Sequence, residues 1–253
     1  MTSEFVTLQI SGAKATITLD RPDQHNKLGV DELTALISAL EHLENQPGCR
    51  VVVLTGTGSK TFCSGFDIDQ IKSVDWAQEP FEQAVSRLES LSLPTICALN
   101  GSVYGGGTEL ALACDFRIGI VGSRLCLPAA EIGVHYGVKG LQRFYTRLGL
   151  STAKRILLAA ESLDCHELLR LGYFDWLVEA ADLQERTDQL AHRLAALAPL
   201  SVRGMKRALN QISYGALDET EARRAISECF ASSDISEGIA AKTQRRTPAF
   251  TGQ

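Results

Sequence analysis

With 253 residues, 45% hydrophobic and 22% charged, the chain is long enough for one large domain or a core with a smaller appendage. Its net charge of −5 argues against broad electrostatic binding to nucleic acid or an anionic membrane, leaving only local basic patches such as KTQRR at 242 to 246. No apolar stretch approaches the roughly 20 residues of a membrane span, and MTSEFVTLQISG has no basic segment leading into an apolar run. A cytoplasmic chain without a signal peptide is expected. The cysteines at 49, 63, 97, 114, 126, 165 and 229 form no CxxC pair, which predicts buried reduced thiols rather than a disulfide framework.

In chain order, Val6, Leu8 and Ile10, then Ala15, Ile17 and Leu19, alternate with polar residues around an SG turn and predict a hairpin. A loop, RPDQHNK, follows. Leu33, Leu36, Ile37, Leu40 and Leu43 mark an amphipathic helix over about 30 to 46. A theme then recurs: RVVVLTG, PTICALNG and FRIGIVG each read as a short buried strand leading into a glycine-containing turn, followed by a helix or short connector. Stacked ββα turns around one core are the reading, a structural repeat without sequence identity. After about residue 149 the pattern turns helical, over 150–160, 164–171, 182–197, 199–213, 217–231 and 234–243. The apolar FDWLV returns one strand to the sheet.

Several motifs fail on inspection. GTGSKT at 56 to 61 lacks the frame of a phosphate loop. HELLR at 166 to 170 has Arg170 where a zinc helix needs its second histidine. No Gly-x-Ser-x-Gly elbow is present. Two glycine loops past strand ends, FCSGFDI (62 to 68) and NGSVYGGGTE (100 to 109), can instead aim peptide N–H groups into a cleft, as an oxyanion hole requires. Taken singly, each is equally a tight strand-to-helix packing turn. The second loop runs into YGGGTELALACD, a helix with no polar face that nevertheless carries Glu109 in its first turn. A buried carboxylate there needs a reason.

The motifs FCSGFDI, NGSVYGGGTELALACD, the segment from LP to GLQR, and the terminal QRRTPAFTG together resemble the crotonase superfamily, the enoyl-CoA hydratase/isomerase family, over essentially the whole chain. The resemblance implies an α/β fold: a crotonase (ClpP-like) ββα spiral over residues 1–195, with a C-terminal helical trimerisation region over 196–253. It also implies an acyl-CoA ligand and self-association as a homotrimer or a dimer of trimers. Carried over position by position, the backbone N–H groups of Phe66 and Gly106 would hold the thioester oxygen as it gains charge in an enolate-like state. Ser64, Gly65, Phe66, Asp67 and Ile68, with Asn26, Lys27 and Leu28, and with Gly105 and Gly106, would lie along the coenzyme A moiety. Glu109 would be an acid/base. Coenzyme A enters as part of the substrate, and no metal, flavin, nicotinamide, nucleic acid or membrane partner is implied.

One departure bears on the chemistry. Family hydratases carry a second glutamate in PExxxG, whereas this chain reads PAAEIG, with Ala129 at that place and Glu131 two residues on, expected to point elsewhere. The related double-bond isomerases rely on the same glutamate. The next residues, IGVHYGVKGL, resemble the methylmalonyl-CoA decarboxylase branch, in which the role of orienting the departing carboxylate would fall on Tyr136. That branch, however, has histidine where this chain has Phe66. Tyr136 reads equally well as a packed aromatic, and His135 as a rim residue. Three readings stand open: hydration or double-bond isomerisation with Glu109 as the one retained acid/base, decarboxylation of a malonyl-type thioester, and non-catalytic acyl-CoA binding.

Overall fold

The computed structural model describes residues 4–71 and 79–253. The hairpin forms as its alternation predicts. β1 (Val6–Ser11) pairs antiparallel with β2 (Lys14–Leu19), and Gly12 makes the turn with φ +59°. α1 (Val30–Glu44) follows, its Leu33, Leu36, Leu40 and Leu43 buried at helical spacing.

Three turns then repeat one pattern. β3 (Val51–Gly56) and β4 (Thr61–Cys63) precede α2 (Pro80–Ser90). β5 (Thr95–Ala98) and β6 (Ser102–Tyr104) precede α3 (Gly106–Ala113). β7 (Phe116–Ile120) and β8 (Arg124–Cys126) precede α4 (Val138–Leu157). A last turn holds β9 (Leu163–Asp164), α5 (Cys165–Arg170), β10 (Trp176–Val178) and α6 (Leu183–Ala195). The chain ends in α7 (Pro199–Ser213), α8 (Glu219–Ala231) and α9 (Ser233–Gln244).

The first strands of the turns build one sheet in the order β1-β2-β3-β5-β7-β10, parallel from β2 onward. The second strands build another, β4-β6-β8-β9, parallel except for β9. Side chains alternate across the large sheet as a period of two demands. Val52, Leu54 and Cys97 join the main core with α1 and α3. Val51, Val53, Ile96 and Ile118 face Leu190 and Ala191 of α6 on the other side. This is the ββα spiral.

The structure also differs from the sequence reading. The three-residue strands β4, β6 and β8 run beside stretches that read only as glycine turns or connectors. Neither α2 nor the first half of α4 is among the predicted helices, although Phe81, Ala84, Val85 and Leu88, and likewise Leu141, Phe144, Tyr145 and Leu148, recur at helical spacing. The helix predicted at 150–160 is the second half of α4, beyond a break at Gly149 (φ 76°, ψ 163°). All seven cysteines are free thiols. Among the described residues no helix is long and apolar enough to cross a membrane.

α7 is held to the core by Lys206, whose Nζ lies 2.7 Å from Asp115 Oδ2 and donates to the Leu93 carbonyl at 2.8 Å. Met205, Leu209 and Ile212 on α7, and Ile226 and Phe230 on α8, are each more than half exposed.

Candidate active site

The site begins where the two glycine loops are pressed together. A Cβ on Gly65 (φ +87°) would fall 2.3 Å from the Gly106 nitrogen, and one on Gly107 would fall 2.4 Å from the Cys63 carbonyl oxygen. No side chain fits in either place, so backbone meets backbone and the peptides of both loops face one space. Gly106 opens α3, so its N–H is among the four at a helix start that have no acceptor within the helix, at the positive end of the dipole.

That space is a cavity of about 500 Å³, walled by Phe66, Phe81, Glu82, Gly106, Glu109 and Tyr136 among others. Glu109 stands in the first turn of α3 and is 4% exposed. Gly140 of α4 leaves it room, since a Cβ there would come within 3.0 Å of both carboxylate oxygens. Burial pushes the Glu109 carboxyl up, the Arg143 guanidinium pulls it down, and Glu82 and Glu89 push it up again, to about 7. Desolvation wins because Arg143 is shared. The guanidinium, fully buried, ion-pairs with Glu109 through Nη1, but it also donates to Glu89 from Nη2 at 2.9 Å and from Nε at 3.2 Å. Tyr214 completes this cluster, donating its hydroxyl hydrogen to Glu89 Oε1 at 2.8 Å.

Of the residues singled out from the sequence, Phe66, Gly106, Glu109 and Tyr136 come together on the cavity wall. Gly65 and Gly105 (φ +48°) sit directly behind, and Ser64 is half-buried with its carbonyl oxygen 2.9 Å from where a Gly105 Cβ would be. Asn26 is spent on the loop itself. Its Nδ2 donates to the carbonyls of Thr57, Thr61 and Phe62 at 3.0 Å each, and its Oδ1 accepts from the Arg21 N–H. Leu28 is buried and bridges to Phe66 as a short parallel pair. Asp67 caps the turn at Ile68–Gln70 by accepting from the Asp69 N–H. Lys27 Nζ lies 3.0 Å from Asp67 and 3.4 Å from Asp69, and the Asp67 bond holds its ammonium above the usual lysine range. Ile68 is 66% exposed.

Ala129 lies buried in the 128–134 turn, and Glu131 is exposed and absent from the cavity wall, as the short turn implies. Tyr136 stacks edge-on against Phe144, with ring centroids 5.8 Å apart. Its buried hydroxyl makes no hydrogen bond of good geometry among the described residues; burial, then the Glu109 charge, push the phenol upward, and the neighbouring Thr108 side chain pulls less strongly the other way. His135 lines the exposed rim.

Sequence reasoning misses Glu82, Phe81 and Arg143. The first two lie on α2, which Pro80 at the first helical position and Phe81, Ala84, Val85 and Leu88 at helical spacing could have signalled. Arg143 closes the GLQR motif, which by itself assigns it no task.

Comparison with known proteins bears on this geometry. Residues 9–253 match the family model described as enoyl-CoA hydratase/isomerase. The chain is 31% identical to the short-chain-enoyl-CoA hydratase of Clostridium acetobutylicum over 95% of each chain. It is 31% identical to the crotonyl-CoA hydratase of Syntrophomonas wolfei over 99% of each. The structure superposes on an enoyl-CoA hydratase from Bacillus anthracis with a TM-score of 0.89 at 28% identity, covering 99% of this chain and 100% of that one. It superposes on Pseudomonas aeruginosa DspI with a TM-score of 0.91 at 29% identity, covering 99% and 98%. Motifs, spiral fold and similarity along nearly the full length agree, and the chain belongs to the enoyl-CoA hydratase/isomerase family, whose members act on acyl-CoA thioesters.

Proposed function

We propose that the protein adds water across the double bond of an enoyl-CoA thioester through an oxyanion-stabilised enolate. The observation that carries this reading is Glu109, a carboxyl held near neutrality by burial at the head of α3, three residues from the Gly106 N–H. Such a group can give or take a proton at physiological pH. The N–H groups of Phe66 and Gly106 hold the thioester oxygen, where loss of one such donor costs about 10² to 10³ in rate. Residues 26–28 and 64–68 receive the coenzyme A portion. The hydratase names of the relatives above point the same way.

Decarboxylation fits the cavity less well. Glu79, Glu82 and Glu109 all line it, and the buried cation beside it, Arg143, is already shared between two carboxylates. A malonyl-type carboxylate entering there meets their repulsion, with Arg143 already committed. A pure binder has no use for a buried carboxyl whose ionisation costs stability. Incubation with a panel of enoyl-CoA and malonyl-type CoA thioesters, with products identified by mass, tests the assignment. A hydrated product is expected, and release of carbon dioxide instead would refute it.

The exposed apolar residues of α7 and α8 support assembly of the chain as a trimer or a dimer of trimers through its C-terminal helices.

A further inference from the structure

Hydration needs two proton movements, one away from water and one onto C2 of the acyl chain, and Ala129 leaves the family's second glutamate missing. We infer that Glu82, on α2, is the second catalytic carboxylate; this rests on the hydratase reading above. Glu82 lines the same cavity as Glu109. Its Oε2 lies where the wall is bare backbone, since a Cβ on Gly137 would come 3.2 Å from it. Its Oε1 accepts from Ser86 Oγ at 3.1 Å.

Ser86 ties the two carboxylates into one network. Its Oγ accepts from Arg143 Nη2 at 3.5 Å, and Nη1 of the same guanidinium donates to Glu109. Glu82 and Glu109, on different helices, are thus steered by one buried cation and one hydroxyl. Lys139 Nζ reaches Glu82 Oε1 at 3.9 Å from an exposed position, a weak surface pair that leaves the carboxylate available. Glu131, the nearest candidate by sequence, is off the wall altogether.

Position divides the labour. C1 of the substrate is the thioester carbon whose oxygen meets Gly106, so C2 lies beside the first turn of α3, and C3 is one bond further out. Glu109 serves C2, and Glu82, the less buried of the two, serves water at C3. The Glu82 carboxylate takes a proton from water as the water oxygen bonds to C3. The C2=C3 electron pair shifts toward the thioester oxygen, and the enolate then collects the Glu109 proton at C2. Solvent at the cavity mouth returns the proton from Glu82 to Glu109, and both groups end as they began.

The test compares hydration of crotonyl-CoA with exchange of the C2 hydrogens of butyryl-CoA in D₂O, a reaction that needs Glu109 and the oxyanion donors but no attack on C3. Glu82→Gln, which keeps shape and the bond from Ser86, should lower kcat for hydration by about 10² to 10⁴ with KM within about threefold. The plateau rate of exchange should stay within about threefold of wild type, with its pH midpoint moved down because the Glu82 charge no longer raises the Glu109 carboxyl. Glu109→Gln should lose both reactions, and Glu131→Gln neither. Should Glu82→Gln fold poorly, Glu82→Asp withdraws the carboxylate by one methylene, and the same split is expected of it. Hydration by Glu82→Gln within about threefold of wild type overturns the inference, as does a parallel fall in exchange. A wild type that exchanges but does not hydrate brings down the hydratase reading, and this inference with it, while sparing the enolate chemistry. A wild type that binds the thioester and does neither brings down the hydratase reading, and this inference with it.

Discussion

Replacing Glu109 by glutamine removes a buried ionisation and leaves the side-chain shape almost unchanged. In the folded protein this carboxyl titrates at about 7, against 4.5 when unperturbed. Between those values the unfolded chain has released the proton that the folded protein still holds, so the native state binds more protons and stability falls as pH rises. The contribution is fully present below pH 4.5 and is lost as pH climbs through 7. At about 1.4 kcal/mol for each tenfold change in acidity, the gap amounts to about 3 kcal/mol. Roughly 2–3 kcal/mol of it falls between about pH 5 and pH 8 by the same linkage relation. A glutamine side chain does not titrate and has no such dependence. Urea unfolding of wild type and Glu109→Gln at about pH 5, 6, 7 and 8 isolates it, because the other titrating groups cancel in the difference. The variant should gain on wild type by that amount across the range. A difference that stays constant within about 0.5 kcal/mol would refute the argument that burial outweighs Arg143.

Gly65→Ala forces a methyl toward the Gly106 nitrogen at a backbone angle that alanine resists; a loss of about 2–4 kcal/mol and at least a tenfold weaker hold on a CoA thioester are expected by calorimetry. Tyr136→Phe discards a buried hydroxyl that makes no hydrogen bond of good geometry among the described residues, so the thermal midpoint should hold or rise, and a loss above about 1 kcal/mol would contradict that geometry. Light scattering at micromolar concentration should show three or six chains, and Leu209→Asp on α7 should drive them apart; a monomeric wild type would defeat the reading of the exposed helical faces.

Much of the candidate site is legible in the sequence because it is local. Glycines next to a strand end, followed by Glu109 in a helix without a polar face, place a helix-start N–H and a buried carboxyl within a few residues of each other. The fold is legible too, from alternation at residues 6–19 and from the recurring strand-to-glycine step. Tertiary proximity is not. Glu82 and Arg143 reach Glu109 from 27 and 34 residues away, and only the packing of α2 and α4 against α3 brings them together. The short strands β4, β6 and β8 escape because three residues carry no period that can be counted. The start of α4 escapes because Gly137, Gly140 and Gly149 look like loop residues, although Gly140 is there to spare the Glu109 carboxylate a collision.

Tyr214 gives the tail of the chain a chemical voice. It caps the end of α7 and lends its hydroxyl hydrogen to Glu89, the competitor of Glu109 for Arg143. That bond tempers the negative charge of Glu89 and so bears on how firmly the guanidinium is drawn away from Glu109. Without that bond, as in Tyr214→Phe with α7 still docked, Glu89 draws harder on the guanidinium, which favours the proton on Glu109. A residue at the end of α7, 105 positions after Glu109, thus acts on the charges around Arg143. The tail therefore reaches the buried carboxyl through charge, without touching it.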